Sequence, residues 1–174
     1  KPWAEQGKLP TFRKLLAEGA AGELKSTIPP MTGPAWTSFM TGKNPGKHGI
    51  FDWVARYRDR YDFYPTTAEH CCEPSLWDIL GSQGRRVCLI NIPMTFPPKP
   101  VNGVMISGMP APSTQVTITY PQSLLAQIEN ELGEYLLYPD PGQAYSDTGV
   151  EAFLERLYRT TAKRFEVIRY LRSQ

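Results

Sequence analysis

SLWDILGSQGRRVCLINI, residues 75–92, decides the fold class. Ser75 stands ahead of an apolar-periodic run, which marks a helix N-cap, and Leu76, Ile79 and Leu80 are spaced to face inward. Gly84 can close that helix. RVCLINI, 86–92, is short, unbroken and rich in β-formers, as in a buried parallel strand. GVMIS, 103–107, reads as a second strand of the same kind. A helix leading into a buried strand is half of a βαβ unit, so the expected class is α/β with a largely parallel sheet flanked by helices. Between the two strands lies PMTFPPKPVN, whose four prolines force an extended, non-helical link.

Downstream, 110–114 (PAPST) reads as a loop. Residues 121–132 predict a helix with Pro121 in the first turn and Leu124, Leu125 and Ile128 inward. A loop at 139–145 precedes the longest helix, 148–172, with Thr148 and Glu151 as a capping box. Val150, Phe153, Leu154, Leu157, Phe165, Ile168 and Leu171 follow its period. The cations Arg156, Arg159, Lys163, Arg164, Arg169 and Arg172 alternate with Glu151, Glu155 and Glu166, which reads as a solvated face. Upstream, Pro10, Phe12, Leu15 and Leu16 predict a helix over 10–18 with a left-handed cap at Gly19. AGELKST, 21–27, reads as a strand ended by Pro29-Pro30.

TIPPMTGPAWTSFMTGKNPGKHGIFDW, 27–53, carries the candidate chemistry. Thr32 precedes Gly33-Pro34 and a helically spaced apolar run, with Gly42 as terminator; the expectation is a helix of about two turns capped by Thr32. On spacing alone a plain cap is the commoner reason for such a Thr. The alternative rests on electrostatics: a helix N-terminus has free N–H groups and a positive potential that favour an alkoxide or a bound phosphate. Gly42 to Lys47 lacks the GxxxxGK[ST] spacing of a phosphate loop and reads as a turn. In 50–67, aromatics alternate with Arg56, Arg58 and Arg60. That pattern can stack on single-stranded nucleic acid, but a packed hairpin turning near Arg58-Asp59 is the favoured reading.

The chain's 174 residues suit one domain or a large piece of one, and 41% hydrophobic content supports a core. A net charge of +2 gives no reason to expect nucleic acid or an anionic membrane as partner. Three cysteines, two of them adjacent, make no disulfide framework, and a cytoplasmic, reducing setting is the default. The two histidines, His48 and His70, fall in no zinc spacing. The chain opens without Met or a strand and closes inside a helical pattern, so a segment of a longer protein is expected.

The 27–53 run resembles the nucleophile segment of the type I phosphodiesterase/nucleotide pyrophosphatase branch of the alkaline phosphatase superfamily. The residues that carry the likeness are Thr32, Pro34, Thr41-Gly42, Pro45 and His48-Gly49-Ile50. GKLPTFRKLLAEGAAGEL before it and NIPMTFPPKPVNGVMISGMPAPS after it are similar to further stretches of bacterial and archaeal phosphohydrolase/phosphomutase-like members. The resemblance implies an alkaline-phosphatase-like fold, with 1–174 as part of one catalytic domain that lacks its N-terminal strand and C-terminal half. It implies that Thr32 attacks phosphorus and touches a metal, that the Gly33 N–H holds a phosphoryl oxygen, and that turnover passes through a phospho-threonine. Two divalent metal ions are implied, commonly zinc, with manganese the other candidate, on Asp and His ligands outside the chain. His48 is then structural. The implied substrate is a small-molecule phosphate ester; phosphomutase-like transfer, or a non-catalytic module with Thr32 as a mere cap, are the alternatives. Sulfatases of the superfamily use a modified Cys or Ser, so Thr32 points away from them. Nucleotide pyrophosphatases often carry an Asn on the phosphate shortly after His-Gly-Ile; here that position is Trp53, preceded by Asp52, which leaves the ester's identity open.

Overall fold

The computed structural model describes residues 2–139 and 149–174. Two short helices come first, α1 (Pro2–Glu5) and α2 (Pro10–Glu18). Gly19 ends α2 in extended backbone (φ −109°, ψ −172°), not in the left-handed cap expected of it. Phe12, Leu15 and Leu16 of α2 are exposed. Residues 21–27 are not a strand. Among the described residues no strand pairs with them, and Leu24, their one large apolar side chain, is 96% exposed. A lone extended run with neither ladder nor buried face gains nothing from β structure.

The chain then enters α3 (Thr32–Thr41), which Gly42 closes in the left-handed region with its N–H on Ser38 O. One turn, α4 (Pro45–His48), follows under an Asn44 cap. β1 (Val54–Arg56) and β2 (Phe63–Pro65) make the expected antiparallel hairpin around Arg58-Asp59. It meets the body through Tyr64, whose ring stacks on His70 at 5.0 Å, while Val54, Tyr61 and Phe63 are exposed.

A 3₁₀ turn, Ala68–His70, leads to α5 (Leu76–Ser82). Ser75 caps it reciprocally with Asp78, whose carboxylate accepts the Ser75 N–H at 2.8 Å and the Ser75 hydroxyl at 2.5 Å. The inward residue is Trp77; Leu76 and Ile79, expected inside, are exposed. In so short a helix a small rotation trades two aliphatic side chains for one large aromatic surface.

β3 (Val87–Ile92) and β4 (Gly103–Ser107) pair in parallel, with a bulge between Ile90 and Ile92. β5 (Thr119–Tyr120) adds to β4 antiparallel, giving a mixed three-stranded sheet in the order β3-β4-β5. The fold is α/β, as the alkaline-phosphatase-like resemblance implies, and the parallel pair is the one the sequence implies. A two-residue strand such as β5 is too short for its alternation to register.

Strand alternation divides the core in two. Leu89 and Met105 join Met40, Ile50, Trp77 and Met94 on one side. Ile106 joins Ile118, Leu124, Ile128, Tyr135, Leu137 and Val167 on the other. Leu124 and Ile128 come from α6 (Leu124–Leu132), and Val167 from α7 (Val150–Arg172). Thr148, the expected cap of α7, lies outside the described residues, as does most of the 139–145 loop.

The buried positions of α7 are Thr160 and Val167, whereas Val150, Leu154, Leu157 and Phe165 are exposed. The cations are not all solvated either. Lys163 donates to Leu132 O at 2.5 Å and meets Glu166 at 2.9 Å, and Arg164 donates to Leu137 O at 2.8 Å. Leu132 ends α6, so its carbonyl has no intrahelical donor. The long basic side chains satisfy such groups while their stems cover apolar surface, and this turns the helix away from its most hydrophobic face.

Candidate functional site

Thr27 and Pro29 shape the approach to α3. The Thr27 hydroxyl donates to Pro29 O at 2.8 Å, and the Met31 N–H donates to the same oxygen at 3.0 Å. Met31, in extended backbone (φ −120°, ψ 153°), is the N-cap residue. Thr32 is therefore the first residue of the helix and not its cap, one position on from the expectation. This changes what its hydroxyl is free to do. Thr37 and Thr41 in the same helix donate to the carbonyls of Gly33 (2.8 Å) and Thr37 (2.7 Å). Thr32 has no helical carbonyl four residues behind it. Its hydroxyl is exposed and makes no hydrogen bond among the described residues.

The backbone beside it is equally uncommitted. Ala35 N–H bonds to Met31 O at 3.0 Å, and Pro34 has no N–H. The N–H groups of Thr32 and Gly33 have no acceptor among the described residues. One hydroxyl and two N–H groups without partners among the described residues thus meet at the positive end of a ten-residue helix. Such an end can hold an anion and lower the energy of negative charge on an oxygen.

Gly33 is buried, and a methyl group in place of its hydrogen would lie 3.7 Å from Met94 Sδ, 3.8 Å from the Trp53 ring and 3.9 Å from the Asp52 carbonyl carbon. Asp52 and Trp53, far along the chain from Gly33, are therefore its neighbours in space. They are clamped there: the Asp52 carboxylate accepts the Trp53 N–H at 2.6 Å, Thr66 donates its N–H to Trp53 O at 2.9 Å, and the Thr66 hydroxyl donates to Asp52 O. The sequence singles out Asp52 and Trp53 but not Met94. The only sequence signal for Met94 is that it falls in the NIPMTFPP stretch.

His48 braces the other end of α3. It is fully buried; Nδ1 accepts the Ile50 N–H at 3.1 Å, so Nε2 carries the proton and donates to Ser38 Oγ at 2.9 Å. Burial pushes its pKa below the ordinary value, and the imidazole is neutral. Both ring nitrogens are used, which makes it a strut. His70 is likewise engaged, with Nδ1 accepting the Thr67 N–H at 3.0 Å.

The residues present do not fit a metal centre: among the described residues no three His, Cys, Asp or Glu side chains group to hold an ion. Cys71, Cys72 and Cys88 are free thiols. A cavity of about 30 Å³ behind Met94, lined in part by Met40, Cys71, Thr95 and Lys99, has room for about one water. It does not include Thr32 or Gly33. No helix of the described residues is long and apolar enough to cross a membrane.

Compared with known proteins, residues 1–165 match the sequence model of a family described as Type I phosphodiesterase / nucleotide pyrophosphatase. Searches of curated proteins and of solved structures find no match.

Proposed function

The chain belongs to the type I phosphodiesterase/nucleotide pyrophosphatase family of phosphate-ester hydrolases, and from that premise we propose that Thr32 is the nucleophile of such a hydrolase. The observation that carries the proposal is the free hydroxyl of Thr32 beside the free N–H groups of Thr32 and Gly33. Thr32 Oγ attacks phosphorus and gives up its proton. The new Oγ–P bond forms as the ester P–O bond breaks, and the departing alcohol takes up a proton. Water then attacks the phospho-threonine, and Thr32 Oγ regains its proton as the phosphate leaves. Through both steps the Gly33 N–H holds one non-bridging oxygen, a charge-assisted contact at the helix end.

Metal dependence, with two divalent ions such as zinc or manganese, belongs to the same proposal. The described residues supply no ligand set for them. The chain is accordingly proposed as the nucleophile-bearing part of a larger catalytic domain acting on a small-molecule ester, in a cytoplasmic setting.

The test is turnover of a chromogenic phosphodiester by the complete enzyme with zinc or manganese. Thr32→Ala is expected to abolish activity, and a chelator to do the same to the unaltered enzyme. Thr32 is exposed and unbonded, and Ala is the better helix former, so thermal stability is expected to hold or to rise by about 0.5 kcal/mol. Activity persisting in the Ala variant would sink the assignment. A stability loss of several kcal/mol (well above the ~1 kcal/mol of a typical cap) would return Thr32 to a structural role.

A further inference from the structure

Among the described residues, Asn91 (φ 51°) and Met94 (φ 63°) are the non-glycine residues with left-handed backbone, and they lie together where β3 ends. Asn takes that region readily, whereas a bulky side chain such as Met is strained there and glycine is not. The Asn91 side chain has polar partners: Nδ2 donates to Ser107 O at 3.0 Å, and Oδ1 accepts the Tyr135 hydroxyl at 2.5 Å. The Met94 side chain has none among the described residues. It is 1% exposed, and its thioether lies against Gly33.

We propose that Met94 is a positioning residue for the Thr32–Gly33 turn, held in its strained conformation by a hydrogen-bonded knot at the ends of β3 and β4. The Met94 N–H donates to Met109 O at 2.6 Å. The Thr95 hydroxyl donates to Ile92 O at 2.6 Å and accepts the Gly108 N–H at 3.0 Å, and the Ser107 hydroxyl donates to Thr95 O at 2.9 Å. Thr95 and Ser107 are buried. Gly108 admits the segment: a Cβ there would sit 2.3 Å from Ile92 O and 2.5 Å from Asn91 O, so the backbones touch directly. The knot fixes the Met94 backbone, and Met94 supports the first turn of α3, the turn without hydrogen bonds of its own behind it. This inference rests on the Thr32 reading for its catalytic consequence, although the contact itself does not.

The experiment compares Met94→Ala and Met94→Leu with Met105→Ala in the complete, metal-loaded enzyme. Met105 is equally buried in the same cluster but belongs to β4, and the three atoms nearest a Cβ at Gly33 belong to Met94, Trp53 and Asp52. Met94→Ala is expected to lower kcat about tenfold or more with KM little changed, because a small misplacement of a reacting group is costly in rate. Met94→Leu should restore most of kcat. Met105→Ala should lower the thermal midpoint with kcat of the folded enzyme near that of the unaltered protein. In parallel, the amide resonance of Gly33 in the ¹⁵N-labelled chain should move in Met94→Ala and stay in place in Met105→Ala. Equal kcat in the two Ala variants, or an unmoved Gly33 amide, overturns the proposal. Should Met94→Ala not fold, Met94→Gly, which takes φ 63° without strain, carries the same comparison. Activity retained by Thr32→Ala would instead overturn the nucleophile reading, and the Gly33 amide would still decide whether Met94 sets this turn.

Discussion

Thr37 and Thr41 tie their hydroxyls back into α3, and Thr32 does not. A displacement of one residue at the helix start makes the difference. As an N-cap, Thr32 would have turned its oxygen toward the helix amides and been occupied. As the first helical residue it leaves hydroxyl and amides both without partners among the described residues. Sequence periodicity locates a helix start only to a residue or two, so this distinction was not legible beforehand. His48 shows the converse. Its structural role was expected from family likeness, and its two ring hydrogen bonds now supply the physical reason. It also predicts a pH dependence. The folded pKa lies below the ordinary 6.5, so between the two values the unfolded chain binds a proton that the folded chain refuses. Stability contributed by His48 is complete above about pH 6.5 and is lost as pH falls through the lowered folded value. Thermal midpoints followed from about pH 8 down to about pH 5 should therefore decline through the acid half, and His48→Gln should flatten that decline. A midpoint that rises on acidification would contradict the assignment.

At the level of elements, α3, α5 and α6 were legible because each combines a period with punctuation, and β3 and β4 because each is an unbroken run rich in β-formers. Gly42 is the cleanest case. It stands at φ 66°, and a Cβ added there would meet no atom within 4 Å, so Gly42→Ala adds no clash and only left-handed strain. A loss of about 1–2 kcal/mol is expected in urea unfolding. A neutral result would mean that the end of α3 rearranges. The faces of α5 and α7 were less legible than their existence. Trp77 displaced Leu76 and Ile79, and Lys163 and Arg164 turned α7 toward carbonyls rather than toward its own leucines. In both helices, hydrophobicity competed with a partner supplied by distant sequence. Met94 was out of reach for the same reason: its importance lies in a contact with Gly33 that no local pattern encodes.

For the molecule as a whole, one sheet carries a core on each side, and the two sides are not independent. Asn91, at the bulge of β3, takes the Tyr135 hydroxyl from one side, while Met94, three residues on, packs into the other. The candidate site sits on the Met94 side, at the front of α3. The α/β class and its parallel pair could be read from 75–107 alone, but the site could not. It depends on Asp52, Trp53 and Met94 converging on Gly33, and among the described residues no three His, Cys, Asp or Glu side chains group to hold an ion. Exposed apolar side chains on α2, α3 and α7, such as Phe12, Phe39 and Phe165, mark large surfaces that this sheet does not cover.

The inward turn of Lys163 reaches beyond packing. Its ammonium lies between Leu132 O and the Glu166 carboxylate with the side chain 18% exposed, whereas Lys14 in its own ion pair is 70% exposed. An amine-directed acylating reagent needs an accessible nitrogen, and the Lys163 nitrogen is half-enclosed and held between two protein oxygens. Brief treatment with a succinimidyl ester, read by peptide mass spectrometry, should therefore modify Lys14 early and Lys163 late. The lag at Lys163 would serve as a chemical clock for the opening of α7 from α6, and simultaneous labelling would show that the helix is not held there.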